Sequence, residues 1–278
     1  MRLFLIILVA VGAWFLPPAP RPVQATATPS VQGGPCPTAP AFPGRIERVV
    51  LTTPGAYGNL QYPRTPLGPR TIAITVDDGP DPRGSQAVMA ILEARCLRAT
   101  FFYVGQYAAL RPDIVRDAVR RGHNVGSHSW SHPTRLAGWG REAAQAEIRR
   151  GFLAVENAAP GQVEPFFRFP GLGDSPGLRN WLGEAGIAVV GAEGGTDDWR
   201  GIGAEAITRR TLANMAGSDG GVLIIHETHP AMISALPGLL DDLNRRGFRF
   251  VQITAGDTAR TTAQAKPQTL LRAGLKTD

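Results

Sequence analysis

From Thr71 to Thr254 the chain alternates two textures. Runs rich in β-branched and aromatic residues are TIAITV (71–76), ATFFYVG (99–105), HNVGSHS (123–129), PFFRFPG (165–171), IAVVGAE (187–193), GVLIIHE (221–227) and FRFVQIT (248–254). Between them lie SQAVMAILEARC (85–96), RPDIVRDAVRRG (111–122), REAAQAEIRRGFLAVENA (141–158), SPGLRNWLGEAG (175–186), AEAITRRTLANMA (204–216) and ISALPGLLDDLNRRG (233–247). Several of these place apolar residues at three- and four-residue steps, and several end at glycine, as amphipathic helices do. Such alternation implies a parallel sheet with helices packed outside it. Seven strand–helix steps exceed what a small open sheet needs. The expected fold class is α/β, an incomplete barrel of parallel strands with outer helices. A doubly wound open sheet is the alternative.

The segment ahead of this pattern has a different character. MRLFLIILVAVGAWFLPPAP carries one early charge, Arg2, then an apolar run from Leu3 to Leu16, and small residues lead to Ala25. Residues 1–25 read as a secretory signal peptide, which places the mature chain outside the cytoplasm, secreted or periplasmic. The run is shorter than the ~20 apolar residues of a comfortable bilayer span. An uncleaved N-terminal anchor is the alternative and the only expected membrane contact. Residues 26–69 form a Pro/Gly-rich arm, in which IERVVLTT (46–53) has the makings of a short strand and PGAYGNLQYPRTPLGP is turn-rich. The main domain is expected over 70–257, and a polar tail over 258–278. The chain has two cysteines, Cys36 and Cys96, and outside the cytoplasm they are expected to pair. Such a bridge stabilises by roughly 4 kcal/mol on the chain-entropy view. The formal charge is +6, carried almost entirely by Arg. No basic run or basic–aromatic stripe accompanies it, so nucleic acid is not an expected partner.

In parallel α/β folds, functional residues collect at the carboxyl ends of strands. Here those ends carry Asp77 and Asp78, His128 and His132, Arg168, the trio Asp197, Asp198 and Trp199, and then His226 and Glu227. Each alone has a plainer reading: a solvated DD turn, capping histidines, a buried histidine at a strand end, a core tryptophan. Their joint placement on one rim favours chemistry. HSWSH spaces two histidines so that one helical turn would put both rings on one face. Two imidazoles and one carboxylate suit a divalent ion such as Zn. An ion held there would acidify a water and polarise a carbonyl oxygen. The other Asp of the pair is then free to act as general base, an Arg to orient it, and a His across the site to protonate a leaving amine. Backbone N–H groups at Pro170–Gly171 would help hold an oxyanion. The pattern points to metal-assisted hydrolysis of an amide or ester.

These residues resemble the polysaccharide deacetylase family, also known as the NodB-homology or carbohydrate esterase family 4 domain. The resemblance covers about residues 70–255 and rests on TVDDGP, HSWSH, RFPG, TDDW and VLIIHE, in the family's order. It implies a distorted, incomplete (β/α)7-type barrel. It implies Asp77 as general base, with Asp78, His128 and His132 as metal ligands. Arg168 would tether the base, and the Gly171 N–H would help bind the oxyanion. Asp198 would tune the catalytic acid His226, and Trp199 and Ile224 would wall an acetyl pocket. Expected cofactor and partner are one divalent ion, Zn first with Co, Ni and Mn as candidates, and an N-acetylated glycan. The implied activity is N-deacetylation of N-acetylglucosamine-containing glycans; an O-acetyl esterase and a non-catalytic glycan-binding domain are the alternatives. The chain departs from the family pattern with Val76 for Phe, Gly171 for Tyr, Gly195 for the first Asp of the fourth motif and Glu227 for Asp. None of these removes an expected ligand, base or acid. His123 is expected to be structural, and His229 is a candidate cleft residue. Which glycan is cut, and the oligomeric state, stay open at this level.

Overall fold

Each of the seven strand-like runs contains a strand in the computed structural model, which describes Phe42 and residues 46–256. The expected signal peptide, the polar tail and Cys36 lie outside the described residues. The ten strands, in chain order, are β1 (Glu47–Leu51), β2 (Gly55–Tyr57), β3 (Thr71–Asp77), β4 (Thr100–Tyr103), β5 (Asn124–Ser127), β6 (Val163–Phe167), β7 (Ala188–Val190), β8 (Gly194–Gly195), β9 (Gly220–His226) and β10 (Arg249–Ala255). The helices are α1 (Gly84–Glu93), α2 (Gly105–Leu110), α3 (Pro112–Arg120), α4 (Arg141–Ala158), α5 (Pro176–Glu184), α6 (Ala204–Gly217) and α7 (Pro230–Arg245). Local chemistry sets several boundaries. Pro112, Pro176 and Pro230 open α3, α5 and α7 at the first turn, where no N–H is needed. Gly122, Gly186 and Gly247, all at positive φ, follow the same three helices.

All strand pairings are parallel. The wall runs β8–β9–β3–β4–β5–β6–β7–β2. Every residue of β3 is buried, because β9 flanks one edge, β4 and β10 share the other, and both faces are covered. Inside the barrel lie Phe102, Phe166, Val190, Val222 and Ile253. Outside, α7 presents Leu236, Leu239, Leu240 and Leu243, all fully buried. Each such side chain stabilises the fold by about 1.5–3 kcal/mol.

The barrel is incomplete. β7 pairs with β2 and β8 pairs with β9, leaving a seam between the two edges. Glu193 stitches that seam: its carboxylate accepts from the Thr65 N–H (2.7 Å) and the Val222 N–H (2.6 Å). β10 pairs with β1 and, on its other side, with just the first half of β3, and then runs beneath the amino-terminal ends of the wall. There the Gln252 amide donates to the Gly122 carbonyl (2.9 Å), Asn124 donates to the Ile253 carbonyl (2.7 Å), and Glu164 accepts from the Ala255 N–H (2.9 Å). The floor is thereby sealed, and the open end is the carboxyl end.

Several local readings needed adjustment. The strand expected over 99–105 stops at Tyr103 because Gly105 begins α2, which packs closely on α4; a Cβ at Gly105 would lie 2.7 Å from Gly151 Cα. The helix expected from 233 begins at Pro230. β2 and β8 fall in segments that read as turns and loops.

Candidate active site

The register puts Asp77, at the end of β3, directly beside His226 on β9. Successive strand residues point to opposite faces, yet Asp78 also turns into the opening because its φ is 73°. A non-glycine residue in that region is strained, and it is held by the turn that follows.

Arg168 lies under Asp77 and is fully buried. Its Nη1 donates to Asp77 Oδ1 (2.7 Å) and Thr75 Oγ1 (2.8 Å), its Nε to the Val190 carbonyl (2.9 Å) and its Nη2 to the Gly191 carbonyl (2.8 Å). The guanidinium also stacks 4.3 Å from the Phe102 ring centroid. Burial lowers the Arg168 pKa, and the adjacent Asp77 charge opposes that. A buried cation survives only with such partners.

His128 follows β5. Its Nδ1 is 2.8 Å from the Arg168 carbonyl, an acceptor, so Nδ1 carries the proton and Nε2 is left bare. That Nε2 lies 3.5 Å from Asp78 Oδ1 and 3.8 Å from Asp77 Oδ2. His132 Nε2 lies 3.1 Å from the same Asp78 oxygen. The two rings meet edge to face with centroids 4.9 Å apart, but not from a helical turn. Ser129 and His132 both sit at positive φ, and HSWSH is an irregular loop tied down by Ser129 Oγ and Glu147. Ligand atoms of Asp78, His128 and His132 all lie within 4.8 Å of one another. Burial works against ionisation of Asp78, yet the facing His128 and His132 imidazoles outweigh it and hold the carboxyl far below the usual range.

Across the opening, Asp198 is buried and grips His226 twice. Oδ1 lies 2.6 Å from the ring Nδ1, and Oδ2 accepts from the backbone N–H at 2.8 Å. Burial disfavours charge on His226, but the bond and charge of Asp198 prevail and raise its pKa to about 9. Nε2 is left to act. Trp199 is 59% exposed, and Ile224 is buried. Both line a cleft of about 910 Å³, together with Asp77, Asp78, His128, His132, Gly171 and His226. Gly171 sits in a single 3-10 turn, Pro170–Leu172, with φ 59°. His229 caps α7, with its ring 5.8 Å from that of His226. His123 is structural: its Nδ1 accepts the Ala99 N–H (3.1 Å), and burial lowers its pKa to about 3.

A family model described as polysaccharide deacetylase matches residues 64–190. A peptidoglycan-N-acetylglucosamine deacetylase of Bacillus cereus is 30% identical over 195 residues, covering 68% of this chain and 68% of its own length. The chain belongs to the polysaccharide deacetylase family. Other family members named for chitooligosaccharide deacetylation are also similar; that of Sinorhizobium fredii is 29% identical, over 67% of this chain and 91% of its own. The Listeria monocytogenes peptidoglycan-N-acetylglucosamine deacetylase PgdA is 29% identical over 66% of this chain, but the match spans only 38% of its length. Among solved family structures, a peptidoglycan deacetylase of Bdellovibrio bacteriovorus superposes with TM-score 0.72 at 26% identity, covering 89% of this chain and 67% of that one. The parallel, unclosed barrel agrees with these neighbours.

Sequence reasoning missed three parts of this polysaccharide deacetylase site. Glu227, noted only as a strand-end acid and a departure from the family pattern, is buried beneath the Asp78 turn, where its Oε1 accepts from Ser85 Oγ (2.6 Å) and the Asp81 N–H (3.1 Å). A Cβ at Gly79 would lie 1.5 Å from that oxygen, so Gly79 and Glu227 fit only each other. Glu193 and the arm residues Asn59 and Leu60 also line the cleft. A signal existed for Glu193 and Glu227, since each is an acid ending an apolar run. None singled out Leu60 within the turn-rich arm.

Proposed function

We propose that the chain is an exported, divalent-metal-dependent deacetylase that removes N-acetyl groups from N-acetylglucosamine-containing glycans. The observation that carries this is the pairing of two opposed arrays across one cleft: Asp77–Arg168 beside Asp78, His128 and His132, and Asp198–His226 facing them. The names of the relatives support the reaction class. The donor set fits a divalent ion. Two imidazole Nε2 atoms converge on Asp78 Oδ1, and that oxygen is buried with no hydrogen-bond donor among the described residues. Such an ion, when bound, polarises a carbonyl oxygen and acidifies a water.

The chain's own residues supply the rest. Arg168 engages Asp77 Oδ1, which leaves Oδ2 to take the proton of the attacking water as its oxygen bonds to the acetamide carbon. The Gly171 N–H receives the oxyanion. His226, held in the doubly protonated form by Asp198, gives its Nε2 proton to the glycan nitrogen as the C–N bond breaks. Acetate and a free amine leave. Trp199 and Ile224 wall the methyl. We also propose the 1–25 signal peptide, the 70–257 catalytic domain and a Cys36–Cys96 bridge; there is no free cysteine among the described residues.

The test is acetate release from chitin oligomers and peptidoglycan fragments, with acetylated xylan as the ester rival, before and after chelation and metal return. Asp77→Asn is expected to keep its metal affinity and lose about 10²-fold or more in turnover. Near-normal turnover in that variant removes Asp77 from the base role. Faster release from xylan than from any N-acetylated glycan overturns the proposed substrate.

A further inference from the structure

One part of the arm reaches the cleft. After β2 the chain folds back on itself: the Gln61 and Tyr62 N–H groups donate to the Gly58 carbonyl (3.0 and 2.8 Å), and the Gly58 N–H donates to the Pro63 carbonyl (3.0 Å). This turn is docked on the rim by the Leu60 N–H to the Ala192 carbonyl (3.1 Å) and the Gly191 N–H to the Tyr57 carbonyl (2.7 Å). Gly58 has φ 111°, and a Cβ there would lie 2.3 Å from Ala192 N, so the approach requires glycine. On its other flank the turn holds the Pro170–Leu172 segment. The Gln61 amide donates to the Leu172 carbonyl, and the Tyr62 hydroxyl donates to Asp174 (2.8 Å).

A turn fixed on both flanks nonetheless leaves Leu60 57% exposed. Leu60 belongs to none of the hydrophobic clusters, yet it lines the same cleft as Asp77 and His226. An apolar side chain whose backbone is tied down at the wall of a cleft is placed to contact what the cleft holds. The neighbouring Gly171 offers no side chain of its own there. The turn also precedes residue 64, where the family match begins, and lies outside the five motifs TVDDGP, HSWSH, RFPG, TDDW and VLIIHE.

We infer that Leu60 is a specificity-determining residue that packs on the C–H face of a sugar ring next to the one being deacetylated. This rests on the glycan-deacetylase reading above and deepens it. The cleft, at about 910 Å³, lies near the top of the roughly 300–1,000 Å³ range that holds drug-sized ligands, so it admits more than a single acetylated sugar. A β-linked pyranose keeps its hydroxyls near the ring plane and presents C–H groups above and below. Leucine methyls pack on such a face without needing a hydrogen-bond partner.

The experiment compares parent, Leu60→Ala and Leu60→Asp on the N-acetylglucosamine dimer and tetramer, with Leu110→Ala, exposed on α2 outside the cleft, as control. Leu60→Ala is expected to raise KM for the tetramer roughly three- to tenfold, with kcat falling less than twofold, and Leu60→Asp to raise it further. The dimer KM rises less, and Leu110→Ala follows the parent. Calorimetric binding of the tetramer in an Asp77→Asn background reads the same contact without turnover. A tetramer KM and binding constant within twofold of the parent in Leu60→Ala overturns the inference while the deacetylase reading stands. Absence of release by the parent, with tetramer binding that weakens in Leu60→Ala, sinks the deacetylase reading and keeps the contact. Absence of both sinks both.

Discussion

Replacing Glu227 by Gln isolates a buried ionisation. Glu227 is 1% exposed, and its Oε2 has no hydrogen-bond partner among the described residues. Burial drives its pKa up; bonds from Ser85 and Asp81 oppose this, the charges of Asp81 and Asp78 add to it, and the result is about 8. The ordinary value is 4.5, so between 4.5 and about 8 the folded protein holds a proton that the unfolded chain has released. Stability from this group is therefore complete below 4.5 and drains away as the pH rises to about 8. Each pH unit of that window corresponds to about 1.4 kcal/mol, and structural relaxation leaves on the order of 2–4 kcal/mol in all. A glutamine side chain in this place would accept the same bonds from Ser85 and Asp81 and never ionise. In metal-free protein under chelator, the melting temperature of Glu227→Gln should track the parent at pH 4.5 and exceed it by roughly 5–10 °C at pH 8.5. The chelator matters, because a cation beside Asp78 favours the ionised carboxylate and shrinks the gap. Parallel melting curves across this range would show that Glu227 ionises without cost, and the argument from its burial would fail.

Two further substitutions probe the opposed arrays. Asp198→Asn removes the charge that raises His226, so the alkaline limb of kcat/KM, expected near pH 9 in the parent, should move down by about one to two units; a limb that stays in place removes His226 as the acid. Arg168→Met leaves Asp77 buried without its counter-charge and should lower unfolding stability by about 3–5 kcal/mol in urea titration, whereas a loss under ~1 kcal/mol refutes the pairing. Arg168→Lys should not restore it, since one ammonium cannot serve Asp77, Thr75, Val190 and Gly191 together.

Much of the barrel was legible because a buried parallel strand and its covering helix write themselves locally. TIAITV combines a β-branched apolar face with small and hydroxyl residues on the other and is buried on both, and α4 follows its helical pattern over Arg141–Ala158. The elements that escaped are those whose existence depends on a partner. GAY at 55–57 pairs because β7 has an open edge beside it. Gly194–Gly195 has no side chains to pattern and is a strand only against β9. The floor made by β10 was equally invisible: FRFVQIT reads as one more wall strand, and only polar links such as Gln252 to Gly122 and Glu164 to Ala255 turn it beneath the others.

The site divides along the same line. Asp77, Asp78, His128, His132, Arg168 and His226 come together as the sequence pattern implied, because a pattern that fixes the strands fixes their ends. HSWSH brought its rings together by a different path from the expected helix: two left-handed residues do what a helical turn would have done. Spacing in sequence therefore picked out two imidazoles that converge with Asp78 while misreading the backbone that presents them. Glu227 and Leu60 lie beyond such reasoning for a physical cause. Glu227 acquires its role from Ser85, 142 residues away, and from the missing side chain at Gly79. Leu60 reaches the cleft across a seam that exists only because the barrel does not close. A chain that leaves its barrel open must fill the gap with another segment, and here the segment filling it reaches the cleft that Asp77 and His226 line.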